Sequence, residues 1–307
     1  MTTERYRLRL METFRTVFYT PIYVAVAGGY LESEGLDVDF QTCPSQFPHP
    51  LSALNHGAAD IVQSGIMRSI IASDWGAEVV PRHFAEINSR DGFFVIGRQP
   101  GEAFQWADFA DSTIIPVGFS PMPWASFQYA LRNSGVALEG LSLMQGLGLN
   151  EAIEAFQRGQ ADFIHLPEPA AEQLLADGVG HLTVALGQVN GHIAYSSFAA
   201  TSAFLNGRPD AVHRFVAGYS SALLWLAGAS AAQTCEVVQS FFPSTDPDLI
   251  TASIARYKEQ GTWPATPHLG RHEYGGLQEI LMAAGMVRQW QPYEKVVTTA
   301  FTEEQEQ

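Results

Sequence analysis

Cys43 and His49 share one Pro-rich stretch, CPSQFPHP. A thiolate beside an imidazole is a nucleophile with its base. No third residue that would orient the pair is visible, and the competing reading is a small cysteine at a strand end with His49 hydrogen-bonding a ligand. His165 and Glu168, in HLPEP, are hydrogen-bond partners for a ligand or supply a carboxylate for a cationic group, while Glu168 equally suits a helix cap. His49, Cys43 and Glu168 are therefore the catalytic candidates. Arg68 and Arg90 can pair with an anionic ligand, although surface ion pairs are the usual fate of such residues. His268, His272 and Glu273 (HLGRHE) have the i, i+4 spacing of a metal site, but they follow Pro264 and Pro267 and lack the HExxH order, so no metal is expected. Neither a G-x-x-x-x-G-K-[ST] loop nor a G-x-G-x-x-G turn occurs, and GLGLN (146–150) is too short for a dinucleotide fingerprint. No cofactor is expected.

The elements that must position these groups alternate from the start. Arg7 to Met11 reads as a strand by period two. Thr20-Pro21 reads as the start of a helix, Thr20 capping it and Pro21 in its first position, and that helix runs to Gly35. Leu36 to Phe40 is a second strand, LSALNHG a helix, and residues 60–63 a short strand. Ile66 to Trp75 reads as helix, and Glu78 to Ile87 and Phe93 to Gly97 as strands. A second unit beginning near Pro100 repeats the rhythm. After Asn206 to Pro209 the chain reads as helical to its end. The fold class is α/β: two lobes of mostly parallel sheet flanked by helices, with a helical C-terminal stretch. Leu54–Ile61 (LNHGAADI) echoes Phe156–Phe163 (FQRGQADF), a Gly-capped helix end entering a strand through Asp, once in each half. The expected division is 1–98 with 192–307 as lobe one and 99–191 as lobe two, with a ligand cleft between them.

Ligands bind such sheets at the carboxyl ends of the strands. Four loops are expected there: FRTVFYTP, QFPHP with SGIMRS, GFSPMPW and LPEP. They make Thr16, Phe18, Tyr19, Phe47, His49, Met67, Arg68, Gly118, Phe119, Ser120, Trp124, His165 and Glu168 ligand-contact candidates. Asn88, Tyr195 and Ser196 join them from the strands expected at the hinge. The rings would stack on a flat ligand, the hydroxyls would bond its edge, and helix starts near Thr20 and Trp124 would hold a negative or carbonyl group.

Composition excludes other classes. With 307 residues, 46% hydrophobic and 16% charged, the chain can bury a large core. A net charge of -15 argues against nucleic acid and against an anionic membrane surface as partners. Two cysteines make no disulfide framework. No apolar run spans a membrane and no secretory h-region follows the first basic residues. A cytoplasmic protein is the expectation as the sequence is written, and an extracytoplasmic one if a leader was removed.

The stretch METFRTVFYTPIYVAVAGGYLESEGLDVDF resembles the opening of the NMT1/THI5-like and SsuA-like solute-binding proteins, with their G-Y/F-x-x-x-E-G-L signature. The resemblance continues through LNHGAADIV, FQRGQADFIHLPEPAAEQLL, FLNGRPDAVHRFVAGYSSALLWL and GLQEILMAAGMVRQWQPYEKVV. It implies a type-2 periplasmic-binding-protein fold that closes on a small planar or anionic organic ligand by hinge motion, with an ABC permease as partner. Enzymes on the same scaffold supply the alternative, a cytoplasmic lyase or hydrolase acting on a small aromatic or heterocycle. The pyrimidine synthases carry a CCCFC motif absent here. The aromatic sulfinate desulfinases carry a cysteine in the first strand-to-helix loop, where this chain offers Thr16, and a histidine about where His49 stands.

Overall fold

The computed structural model describes residues 5–100 and 104–302. The chain opens with β1 (Tyr6–Glu12), whose alternation buries Leu8 and Leu10 and leaves Arg7 and Arg9 in solvent. A 3-10 turn, Val17–Tyr19, leads into α1 (Thr20–Ala27). The helical start therefore comes earlier than Thr20: Thr16 caps the turn, and Thr20 lies inside with its hydroxyl on the Val17 carbonyl. Gly28 and Gly29 break the helix before α2 (Tyr30–Ser33), because Gly29 takes φ 76°. Then follow β2 (Leu36–Thr42), α3 (Pro50–Asn55), β3 (Ile61–Gly65), α4 (Met67–Asp74), β4 (Arg82–Asn88) and β5 (Phe93–Gly97). The second half continues with β6 (Thr113–Ile115), α5 (Pro121–Asn133), β7 (Ser142–Leu143), α6 (Leu149–Gln157), β8 (Phe163–Pro167), α7 (Ala170–Ala176), β9 (His181–Ala185) and α8 (Leu186–Val189). After β10 (Ser196–Ala200) come α9 (Ser202–Gly207), α10 (Pro209–Gly228), α11 (Ala231–Val238), α12 (Pro247–Gln260), α13 (Arg271–Ala283) and α14 (Tyr293–Val296).

The strands form two five-stranded sheets, ordered β2-β1-β3-β10-β4 and β7-β6-β8-β5-β9. In the first, β1 is parallel to β2 and β3, and β10 is antiparallel to β3 and β4. In the second, β6 is parallel to β7 and β8, and β5 is antiparallel to β8 and β9. Each sheet thus holds four co-directed strands and one inverted strand. The inversion has a simple cause. The chain leaves the first sheet at the carboxyl end of β4, crosses through 89–92, and enters the second sheet as β5. It returns through 190–195 and enters the first sheet as β10. A strand that starts at the edge where the chain crosses over must run opposite to strands that finish there. Residues 93–97, which the sequence assigned to lobe one, pair in the second sheet for this reason.

The two G-x-A-D turns are alike in structure. Gly57 and Gly159 take φ 70° and 80°, conformations that favour glycine. Asp60 N donates to the Arg9 carbonyl on β1 and Asp162 N to the Thr113 carbonyl on β6, and each carboxylate accepts from the backbone N of the same partner. The first lobe's core surrounds Ile22, Tyr23, Phe84, Phe198, Phe215 and Tyr219, and a second cluster around Phe93, Phe109 and Phe127 fills the space under α5. Each fully buried aromatic or aliphatic side chain stabilises by about 1.5–3 kcal/mol.

Candidate functional site

The carboxyl ends of β1, β2 and β3 converge, and three polar groups converge with them. Arg68, in the first turn of α4, is half-buried and makes no ion pair with a carboxylate among the described residues. Burial lowers the affinity of its guanidinium for its proton, while Tyr19 and Cys43 act on it from the loops after β1 and β2. Arg68 in turn helps burial to lower the pKa of His49 and opposes the burial that raises that of Cys43. His49 caps α3, its Nδ1 accepting from Ser52 N at 3.1 Å, so its ring proton sits on Nε2. Cys43 Sγ has only a distant contact with its neighbour's carbonyl, at 3.9 Å, and no hydrogen bond joins it to His49 among the described residues. A half-buried thiol pushed upward is protonated at neutral pH, so this pair is not an activated nucleophile in the present arrangement.

The turn after β1 is built for rigidity. Thr16 is buried, its hydroxyl accepting from Phe18 N and donating to the Glu168 carbonyl of the other lobe, both at 3.4 Å. The Phe18 carbonyl accepts from Asn88 Nδ2 at 2.7 Å and from Trp263 Nε1 at 2.9 Å. Asn88 Oδ1 accepts from Ser196 Oγ at 2.5 Å, which joins the end of β4 to the start of β10 beside the two crossings. Phe18 itself is 2% exposed and packs on Tyr195 and Tyr257. Gly92 lies so close to it that a Cβ there would stand 2.3 Å from the ring, so only glycine fits. Phe18, Asn88 and Ser196, expected to touch ligand, have their polar and ring contacts at the interlobe crossings. Met67 is buried, and Phe47 lies against His56.

Lobe two presents rings and a helix start. Phe119 is 45% exposed, and its ring lies 6.0 Å from Phe14 and 6.1 Å from Phe93. Phe14, in the loop after β1, also meets Tyr19 at 5.6 Å. Rings from both lobes therefore form one continuous wall. Ser120 caps α5 with Pro121 behind it, and its side chain makes no cap bond. A Cβ on residue 118 would stand 2.6 Å from the Leu147 carbonyl oxygen, so glycine is required there. Trp124 is half-buried against Phe127.

His165 and Glu168 are placed differently from the expectation. His165 lies between Phe93 and Phe127, burial drives its pKa down to about 3, and neither ring nitrogen has a partner. It is a neutral imidazole in an aromatic core. The Glu168 carboxylate is taken up by partners from its own chain. Arg256 Nε donates to it at 2.6 Å, Glu172 N at 2.8 Å and Ser253 Oγ at 3.4 Å. Arg256 also bonds Glu172. Burial raises the Glu168 pKa against the pull of Arg256. Asp91 is raised by burial to about 7, although Phe93 N and Ser126 bond it. The Tyr195 hydroxyl is buried without a partner.

Sequence reasoning passed over Phe14, Phe93, Arg256 and Trp263. Phe14 stands inside a segment already assigned to the cleft. Arg256 and Trp263 arrive from the C-terminal helices, and nothing local marks them. His268, His272 and Glu273 are not brought into a cluster of three metal-binding side chains among the described residues. No described helix is long and apolar enough to cross a membrane.

Residues 17–229 match the family model described as NMT1/THI5 like. The chain is similar to a Bacillus subtilis (strain 168) protein named "Putative binding protein YtlA", with 29% identity over 298 residues, 97% of this chain and 89% of that protein. In structure it is similar to the periplasmic aliphatic sulphonate binding protein SsuA from Escherichia coli, with TM-score 0.74 and 16% identity over 97% of this chain and 93% of that one. It is also similar to the alkanesulfonate-binding protein SsuA from Xanthomonas axonopodis pv. citri bound to MOPS, with TM-score 0.69 and 18% identity over 97% of this chain and all of that one.

Proposed function

The chain belongs to the NMT1/THI5-like family, and we propose that it is a solute receptor whose two lobes close on a small organic anion with a flat or apolar body. The observation that carries the reading is Arg68: a half-buried guanidinium at the meeting point of three strand ends, with no carboxylate partner among the described residues. A cation held out of water without a counter-charge favours an anionic ligand that supplies one. The wall of Phe14, Tyr19, Phe119 and Phe93 suits the ligand's body. The His49 Nε2–H and Ser120 hydroxyl are free to bond its edge. That two relatives in structure are sulfonate-binding proteins supports an oxyanion head group.

Closure takes the form of rotation about the two crossings, 89–92 and 190–195, with residues 5–88 and 196–302 as one lobe and 93–100 with 104–189 as the other. The receptor delivers its ligand to an ABC permease, outside the cytoplasm. The cytoplasmic location belongs with the enzyme alternative, which the protonated, unpaired Cys43 and the committed Glu168 both disfavour. Thermal-shift and calorimetric screening against small sulfonates, carboxylates and matching amines tests the reading. Anions should raise the melting temperature and be recovered unchanged. Stabilisation by amines alone, or chemical conversion of a bound anion, would overturn it.

A further inference from the structure

At the return crossing, His192 stands between two carboxylates. Its Nε2 lies 3.2 Å from both carboxylate oxygens of Glu86, and its Nδ1 lies 3.8 Å from Oε1 of Glu273. Glu86 is on β4, the strand that leads into the outward crossing, and Glu273 is on α13. All three line one cavity of about 390 Å3, to which Arg90 and His268 also contribute. On the other side of His192, the α13 residues Arg271, His272 and Glu279 line a second cavity with it. The backbone follows the same partners: Ile193 N donates to the Ser89 carbonyl at 2.8 Å, and Ala194 N to the Glu273 carbonyl at 3.1 Å. Asn190 ties the near end of the crossing to Ser126 of lobe two.

A neutral imidazole carries one N–H, so one of its nitrogens would face a carboxylate with a lone pair. The imidazolium alone donates in both directions. We propose that His192 is a proton-operated latch on the interlobe hinge: its imidazolium fastens the return crossing to β4 and α13, holds the lobes in the arrangement described here, and releases the crossing on losing its proton. The hydrogen bond that His192 donates to Glu86 raises its pKa above the ordinary histidine value, with Glu273 adding to it and burial and Arg90 opposing. Burial raises that of Glu86. The latch is therefore complete at pH values above the Glu86 transition and below about 6.5, and is lost as pH rises through the elevated His192 value. Its purpose rests on the receptor reading, because lobe position changes affinity only if ligand binds in the gap.

Two measurements on the ligand-free full chain test it. NMR titration of the histidine side chains gives the His192 pKa, and small-angle scattering gives the radius of gyration over the same pH range. The radius should increase as His192 deprotonates, and His192→Gln should abolish that step. In case that variant does not fold, Glu273→Gln, at the more exposed of the two carboxylates, should move both the titration and the radius step to lower pH. A radius that stays constant through the His192 transition, or that changes identically in His192→Gln, overturns the latch. No ligand enters either measurement. A constant radius thus leaves the receptor reading intact, and turnover of a bound anion overturns that reading without touching the latch.

Discussion

Arg68, in the first turn of α4, and Glu168, at the end of β8, stand at strand ends on opposite lobes and carry opposite charges. Both were expected from sequence to touch ligand. Glu168 is 1% exposed and fully engaged by Arg256, Ser253 and the Glu172 amide. Arg68 is half-buried and has no carboxylate partner among the described residues. A charge whose partners come from its own chain is scaffold. A charge kept from water without them is a place where something else completes the pairing. The difference separates residues that hold the lobes from residues that await a ligand.

The largest expected effect comes from breaking the scaffold charge. Arg256→Ala leaves Glu168 buried next to Glu172 with no counter-charge, and removal of one partner of a buried pair costs about 3–5 kcal/mol. Urea unfolding should show that loss as a lower midpoint. The double variant Arg256→Met with Glu168→Gln should recover most of it, since neither charge then remains. If Arg256→Ala unfolds at the wild-type urea concentration, the Glu168 pairing is not scaffold and the contrast with Arg68 fails.

Arg68→Gln should do the reverse. No internal ion pair is lost, so stability should stay within about 0.5 kcal/mol of wild type or rise. Affinity for the best anion found by calorimetry should fall roughly tenfold to a hundredfold, the equivalent of about 1.5–3 kcal/mol for a hydrogen bond to a charged group. Undiminished binding in Arg68→Gln would place the anion elsewhere.

How far the sequence reveals these roles depends on how local the cause is. The helix of LSALNHG, the strand beginning at Leu36 and the G-x-A-D turns follow from neighbours in sequence and are legible there, although the helix starts one residue earlier, at Pro50, and the strand runs two residues further, to Thr42. Arg68 could be named because it follows a strand directly. What could not be read is pairing across distance. Arg256 reaches Glu168 from α12, and Trp263 reaches the Phe18 carbonyl from the segment after it. No periodicity announces either contact. The inverted direction of β5 and β10 was missed for a related reason, since alternation shows that a segment is a strand but not which way it enters a sheet. The early helical turn at Val17 was hidden by Thr20-Pro21, a good start signal standing one turn too late.

The two G-x-A-D turns give the finest version of the comparison, because they share one geometry and differ in one partner. Asp162 accepts from Thr113 N at 2.8 Å. Asp60 accepts the matching bond from Arg9 N, also at 2.8 Å, and adds the Arg9 guanidinium at 2.6 and 3.1 Å. Loss of the shared bond in Asp162→Ala should cost about 0.5–1.5 kcal/mol. Asp60→Ala should cost more, by roughly 0.5–1 kcal/mol, the usual worth of a solvent-exposed ion pair. That increment should depend on pH and salt. Arg9 lowers the Asp60 pKa, so the pair contributes above the ordinary aspartate value near 4 and is lost as pH falls through the lower folded-state value. Unfolding curves for the two variants should therefore lie apart at pH 7 in low salt and draw together in acid or in 1 M salt. Equal losses at pH 7 would mean that the guanidinium adds nothing to the turn.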